Sequence, residues 1–264
     1  MTKKNQQIIT GLGEGDIAGL VFLPGDPERV ARISASWQDV REVARVREFV
    51  VHTGTLDGTR MTVASTGIGA PSTAIMVEEL VRLGATTLIR IGNSGALSPD
   101  IELGDYVITT GSVRDDGTSR TYVDEGYPAV AHHDVVTALV SEARRAGARF
   151  HTGITASTDG FYSRNKVQSA DGSLRPMAAH GYETMRGADR LLDWKAAGVL
   201  NIEMESSILL TLASLYRVRA GVICTVSDRC PWSSPGQDAL SLDRNMAGCI
   251  DIALRAGLRL SGRS

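Results

Sequence analysis

No stretch of this sequence approaches the roughly 18 apolar residues that a membrane-spanning helix needs. Neither sign of charge is in excess: 28 Lys and Arg face 30 Asp and Glu, for a net charge of -2. Without a basic surplus nothing global holds a phosphodiester backbone, which argues against nucleic-acid binding as the main activity. The opening residues Met1 to Gln7 carry two lysines but no apolar segment behind them, so no secretory leader is expected. Cysteine is scarce. Cys224, Cys230 and Cys249 are odd in number, sit late and lack zinc-ligand spacing. A reduced, cytoplasmic setting without a metal is the expectation. Internal repeats and low-complexity linkers are lacking too, so residues 1–264 are read as a single domain.

What remains is globular in composition, with 42% hydrophobic and 22% charged residues in a chain of 264, long enough to bury a sizeable core. Glycine stands out: 28 residues, about 11% against a usual ~7%, implying many tight turns and close backbone approaches. Short β-branched runs alternate with helical patterns. Strands are expected at residues 19–23, 49–56, 61–65, 86–91, 105–110, 150–157 and 220–227. Asp57-Gly58 is a hairpin signal between two of them. Helices are expected at residues 71–83, 134–146 (capped by Asp134), 204–216 and 244–256. The alternation predicts a three-layer α/β/α domain around a central sheet, and the hairpin makes that sheet mixed. Residues 163–195 read as a polar, irregular loop.

Several short segments carry chemistry. At Leu23-Pro24-Gly25-Asp26-Pro27-Glu28-Arg29 a strand ends, Gly25 turns the chain and Asp26 with Pro27 starts a helix. Its free N–H groups and Arg29 suit an oxyanion, though an ordinary strand-to-helix connection reads the same way. Arg90 sits in the apolar strand Thr87-Leu88-Ile89-Arg90-Ile91, where a guanidinium needs either a bound anion or an internal carboxylate. A glycine-rich turn, Gly92-Asn93-Ser94-Gly95, is expected to follow it. Ser65-Thr66-Gly67-Ile68-Gly69 is only a partial dinucleotide fingerprint. In Glu203-Met204-Glu205 a carboxylate can accept from a vicinal diol and the methionine can pack on a sugar face, or both acids can serve a helix start. Asp228 follows an apolar strand, where burial would let a carboxyl donate a proton, or it pairs with Arg229. Phe161-Tyr162 could stack on a heterocycle or fill core.

Taken in order along the chain, these segments, with Arg47-Glu48-Phe49 and Tyr127-Pro128-Ala129-Val130, resemble the hexameric nucleoside phosphorylases over about residues 11–257. That family holds uridine phosphorylases and the bacterial and protozoan purine nucleoside phosphorylases. The resemblance implies reversible phosphorolysis of a nucleoside to free base and ribose 1-phosphate. Inorganic phosphate is then the co-substrate, and no metal or other cofactor is needed. It implies phosphate contacts from Gly25, Arg29, Arg90 and Asn93, with Arg47 supplied by a neighbouring subunit of a dimer-based hexamer. Glu203, Met204 and Glu205 are implied at the ribose. Phe161, Asn165 and Ser227 are implied at the base, Asp228 as the acid and Arg229 beside it, with Arg244 a candidate for a second arginine. Asp228 and Ser227 match the purine branch. Where the uridine branch carries a Gln-x-Arg pair, this chain has Asn165 and Val167, and valine cannot donate to a carbonyl. Arg229 and the wording of residues 65–80 echo the uridine branch. Purine preference is therefore the leading expectation, uridine the alternative, and a nucleoside hydrolase or a non-catalytic nucleoside binder the remaining readings. No histidine precedes His52, and Ile9 stands near the place where the family has one at a neighbour's 5′-hydroxyl.

Overall fold

The computed structural model describes residues 4–183, 190–232, 241 and 243–262. In chain order the elements are β1 (Leu20–Pro24), α1 (Glu28–Ser34), β2 (Gln38–Val46), β3 (Phe49–Leu56), β4 (Thr59–Ala64), α2 (Ala70–Arg82) and β5 (Thr87–Ala96). Then come β6 (Tyr106–Asp115), α3 (Ser119–Tyr122), β7 (Ala129–Val130), α4 (His133–Arg145), β8 (Phe150–Thr158) and α5 (Phe161–Arg164). The chain ends with β9 (Lys166–Gln168), β10 (Leu174–Pro176), α6 (Arg190–Ala196), β11 (Asn201–Glu203), α7 (Ser206–Leu215), β12 (Arg219–Arg229) and α8 (Met246–Leu260).

The main sheet runs β11-β8-β6-β12-β5-β1-β4-β3-β2. It is mixed: β1, β5 and β12 are mutually parallel, whereas β6 runs against β12 and β3 against both β2 and β4. Strand alternation sends successive side chains to opposite faces. Val21, Leu23, Leu88 and Val222 join one apolar cluster with α2 and α7. Leu20, Phe22, Ile89 and Ile223 join the other with α1, α4 and α8. Two helical layers thus cover one sheet, and both are apolar toward it, as a sheet buried on both faces requires.

One end of the sheet curls. β11 pairs parallel with β8 and also antiparallel with the far end of β5, so β5, β12, β6, β8 and β11 close into a ring. This closure lays Glu203, the last residue of β11, near the C-terminal end of β5.

Several expectations change. Gln38–Val46 is an edge strand whose residues are mostly exposed and polar, so it lacks the alternation that marks a half-buried strand. α4 is capped by His132, whose Nδ1 accepts from the Asp134 N–H at 3.3 Å, rather than by Asp134 itself. The expected turn after Arg90 does not form: Gly92 to Gly95 continue β5 and pair with β12. Residues 201–203 are strand, and the helix expected from Met204 begins at Ser206. The segment expected to be irregular contains the β9–β10 hairpin and α6, with residues 184–189 outside the described residues.

Candidate active site

The C-terminal ends of β1, β5 and β12 open on a cavity of about 610 Å³. Parallel strands that end together leave a crevice there, where open α/β sheets bind ligands. Gly25, Arg29, Arg90 and Asn93 line one side. Arg29 is 4% exposed; its Nη2 donates to Asn93 Oδ1 at 2.7 Å, and its Nε has no hydrogen-bond partner among the described residues. Burial lowers its pKa, and nearby Arg90 lowers it further against the opposing pull of Asp26. A Cβ added at Gly25 would lie 3.9 Å from Arg90 Nη1, itself a buried nitrogen without a hydrogen-bond partner among the described residues. Two guanidinium groups therefore hold unused donors beside a glycine, a composition suited to an oxyanion. Gly92 is needed for the same reason of space: a Cβ there would sit 2.9 Å from Arg90 Nη2 and from Cys224 Sγ.

Arg90 also has the internal partners that its sequence context allows. Its Nε donates to Glu203 Oε2 at 3.0 Å and its Nη2 to Glu205 Oε2. Burial works against its charge, but Glu205 and Glu203 outweigh that and raise its pKa. Burial likewise pushes Glu205 up, opposed by Arg90 and reinforced by Glu203. Glu205 Oε1 accepts from Gly69 N at 2.5 Å, a residue held at φ 91° where glycine is favoured. Glu203 is fully engaged: it accepts from Ser206 N at 2.9 Å, Ser206 Oγ at 2.6 Å and Glu205 N at 3.0 Å, besides Arg90. Its carboxylate caps α7 and orients Arg90, which leaves Met204 and Glu205 as the members of the trio with surface to offer a sugar. Met204 is half-buried and lines the cavity.

The opposite side carries Phe161, Asn165, Ser227, Asp228 and Cys230. Asp228 is 7% exposed and accepts from Ser227 Oγ at 2.7 Å. Burial raises its pKa against the hydrogen bonds from Ser227 and Cys230. Asn165 Nδ2 donates to Phe161 O at 2.8 Å and its Oδ1 lies 3.3 Å from Cys230 Sγ, so the amide is fixed from both ends. Phe161 stands edge-on to Trp232, ring centroids 5.9 Å apart. Gly95 admits the carboxyl, since a Cβ there would fall 2.8 Å from Asp228 Oδ2.

Three of the residues singled out are not brought to the cavity. Arg229 points away and pairs with Glu102 at 2.7 Å: beyond a bulge between Val226 and Asp228, strand alternation turns it to the side opposite Asp228. Arg47 is exposed at the tip of the β2–β3 hairpin, with φ 54°, while the adjacent Glu48 lines the cavity. Arg244 packs its side chain near Gly104, and its carbonyl accepts from Thr225 Oγ1 at 2.8 Å. Sequence reasoning missed Ser94. It lines the cavity, is 4% exposed and has an Oγ with no partner among the described residues. A hydroxyl type next to Asn93 was the available signal. His132, His133 and Asp134 bring ligand-type atoms within 4.8 Å of one another at the start of α4, outside the cavity lining.

Residues 20–251 match the phosphorylase superfamily. The chain is 46% identical over 225 residues to the uridine phosphorylase of Thermococcus kodakarensis, covering 85% of this chain and 78% of that protein. It is 40% identical over 253 residues to the uridine phosphorylase of Klebsiella aerogenes, covering 95% and 96%. It is 39% identical over 213 residues to the guanosine phosphorylase of Halorubrum lacusprofundi, covering 81% and 79%. With a cavity that sets two buried arginines against a carboxylate, and a match that spans most of its length, the chain belongs to the phosphorylase superfamily, as one of its nucleoside phosphorylases, which are pentosyltransferases.

Proposed function

We propose that this protein cleaves uridine with inorganic phosphate, giving uracil and ribose 1-phosphate. The observation that carries the phosphorolysis is the pair of unused guanidinium donors, Arg29 Nε and Arg90 Nη1, beside Gly25 and next to Glu205. The relatives named uridine phosphorylase support uracil over the purine bases that the sequence reading put first.

In this reading phosphate lies against Arg29, Arg90, Gly25 and the Asn93-Ser94 strand end. Glu205, fixed by Gly69 and Arg90, takes the ribose hydroxyls, and Met204 packs on the sugar. The C1′–N bond breaks as the C1′–O bond to phosphate forms, and the base leaves with the electron pair and takes up a proton. Positioning and charge balance do most of the work: the guanidinium groups hold the nucleophile, and the Glu205 carboxylate sits near the developing oxocarbenium ion. Phosphate is the co-substrate, and the reaction as written uses no metal or other cofactor.

A second reading, guanosine, has its own support. Asp228 is held toward its protonated form, which suits donation to a purine ring nitrogen. Val167 offers no donor to a uracil carbonyl, and one relative is named guanosine phosphorylase. The assembly belongs to the same proposal. Arg47 is exposed on the hairpin tip, where it can serve a second copy's cavity, so a dimer is the minimal active unit of a hexamer in the cytoplasm.

The test is base release from uridine, thymidine, guanosine, inosine and adenosine, each with and without phosphate. Phosphate-dependent release led by uridine is expected. Release led by guanosine or inosine selects the second reading, and equal release without phosphate overturns phosphorolysis.

A further inference from the structure

The short helix α5 divides the cavity from a shallow groove formed with Tyr162, Ser163, Met177 and Ala178, and Phe161 lines both. Four residues of helix have too few hydrogen bonds to hold themselves in place. Among the described residues the turn is closed by the Arg164 N–H to Gly160 O and the Asn165 N–H to Phe161 O bonds, at 3.0 and 3.2 Å, with Asn165 Nδ2 also donating to Phe161 O at 2.8 Å. Besides the Asn165–Cys230 and Phe161–Trp232 contacts, something must fix the backbone of the wall that presents Phe161 and Asn165.

That anchor lies at the end of β6. Asp115 pairs with Thr158 in the β6–β8 ladder, and its side chain is 4% exposed. One carboxylate oxygen meets Arg164 Nε at 2.8 Å, and the other meets Arg190 Nη2 at 2.9 Å. Arg164 is the last residue of α5 and Arg190 the first of α6. A buried carboxylate on the rigid sheet thus ties down two segments that have little structure of their own. The Asp115 carboxylate is buried while the Arg164 and Arg190 side chains are 27% and 43% exposed, so losing an arginine leaves a buried carboxylate short of a partner, which is costly.

We propose that Asp115, acting through Arg164, is a positioning residue for nucleoside recognition: it fixes α5 so that Phe161 and Asn165 form the base wall. The inference rests on the cavity being the nucleoside site proposed above. Asp115 touches neither Arg29 nor Arg90, so phosphate binding stands apart from it. The Arg190 contact anchors α6, whose Leu191 and Trp194 pack with Cys230 and Trp232 behind the wall, but it does not reach α5.

The experiment compares Asp115→Asn, Arg164→Met, their double variant, Asp115→Glu and Arg190→Met in the full chain, with nucleoside and phosphate varied separately. Asp115→Asn and Arg164→Met should each raise the nucleoside KM about tenfold, as expected when a binding group is misplaced by part of an ångström. The phosphate KM should stay within about twofold, since no phosphate contact is altered. The double variant should be no worse than the worse single one, as for residues acting through one contact. Asp115→Glu should recover part of the loss, and Arg190→Met should lower Tm and shift the ratio of the two KM values less than Arg164→Met does. Equal changes in both KM values, or an unchanged nucleoside KM in Arg164→Met, overturn the proposal. Hydrogen exchange gives a readout that needs no activity: the Arg164 and Asn165 amides should exchange faster in Arg164→Met, with residues 24–30 unaffected. Absence of base release from the unaltered protein would sink the proposed function alone, while unchanged exchange at those amides would sink the clamp.

Discussion

Arg90 and Glu205 meet inside the protein, guanidinium Nη2 against carboxylate Oε2, with side chains only 4% and 6% exposed. Each keeps the other charged where either alone would be unfavourable. Arg90→Met should therefore leave Glu203 and Glu205 unpaired and cost about 3–5 kcal/mol of stability. Arg90→Lys keeps a charge but loses the planar fork, so phosphorolysis should fall about 10²-fold or more with a smaller loss of Tm. Rates and melting curves on both variants check this, and normal turnover by the lysine variant would mean that a point charge suffices.

Asp228 gives opposite signs for stability and activity. Its folded pKa is raised by burial, so its protonated form is favoured in the folded protein. Its contribution to stability is present below the unfolded carboxyl range and is lost as pH rises through the folded value. Asp228→Asn should consequently raise Tm at pH 8 and change it little near pH 3. The same substitution should slow base release, and more for guanosine than for uridine if a ring nitrogen takes the proton. Melting at the two pH values and paired rates measure both effects, and a lower Tm at pH 8 would contradict the desolvation argument.

Ser94→Ala separates binding from folding. Its buried hydroxyl has no partner among the described residues, so its removal should leave the unfolding free energy within about 0.5 kcal/mol of the original. Lost contact with a substrate oxygen should lower kcat/KM by about tenfold, the worth of one hydrogen bond of ~1.4 kcal/mol. Unchanged kcat/KM would remove Ser94 from the site.

Gly95→Ala tests the fit around the acid. The new methyl would stand 2.5 Å from Cys230 Sγ and 2.8 Å from Asp228 Oδ2, so one of them must move. Base release should fall by more than tenfold while phosphate still protects against heat. Full activity would mean that Asp228 can move without cost.

Sharing of the site between copies can be read by mixing. Arg47→Ala and Asp228→Asn should each be poorly active alone. Subunits exchanged between the two should regain activity, because some sites then combine an intact Arg47 with an intact Asp228. No recovery in verified mixed oligomers would place Arg47 outside the neighbour's cavity.

Much of the site was legible because its residues stand where their chemistry is unusual for their surroundings. An arginine inside Thr87-Leu88-Ile89-Arg90-Ile91 and an acid after an apolar strand both announce themselves. The strands of the core were legible from their apolar, β-branched runs, although β5 and β6 extend well beyond the expected segments. What escaped depended on long-range contacts. β2 is polar on both faces because it lies at an edge. Residues 201–203 are strand only because β8 and β5 accept them as a partner. The role of Glu203 as a cap could not be separated from sugar binding until its four donors were visible. Arg229 was misplaced because successive residues of a strand point to opposite sides, so beyond the bulge between Val226 and Asp228 an inward Asp228 turns Arg229 outward.

That bulge has a consequence for how such a protein can change over time. Upstream of it, β12 is constrained on both sides by helical layers, and almost any drift there would be felt by the core. Downstream, Asp228 borders the cavity and Arg229 meets Glu102, so these side chains answer to local partners rather than to the helical layers. A lineage can therefore exchange the chemistry at Asp228 and Arg229 while the scaffold stays fixed. On the proposed reading the acid that faces the base is in this sense a detachable trait, carried at the end of a strand whose core half is held on both sides, and related enzymes that differ there should keep the alternation of Val222 and Ile223 unchanged.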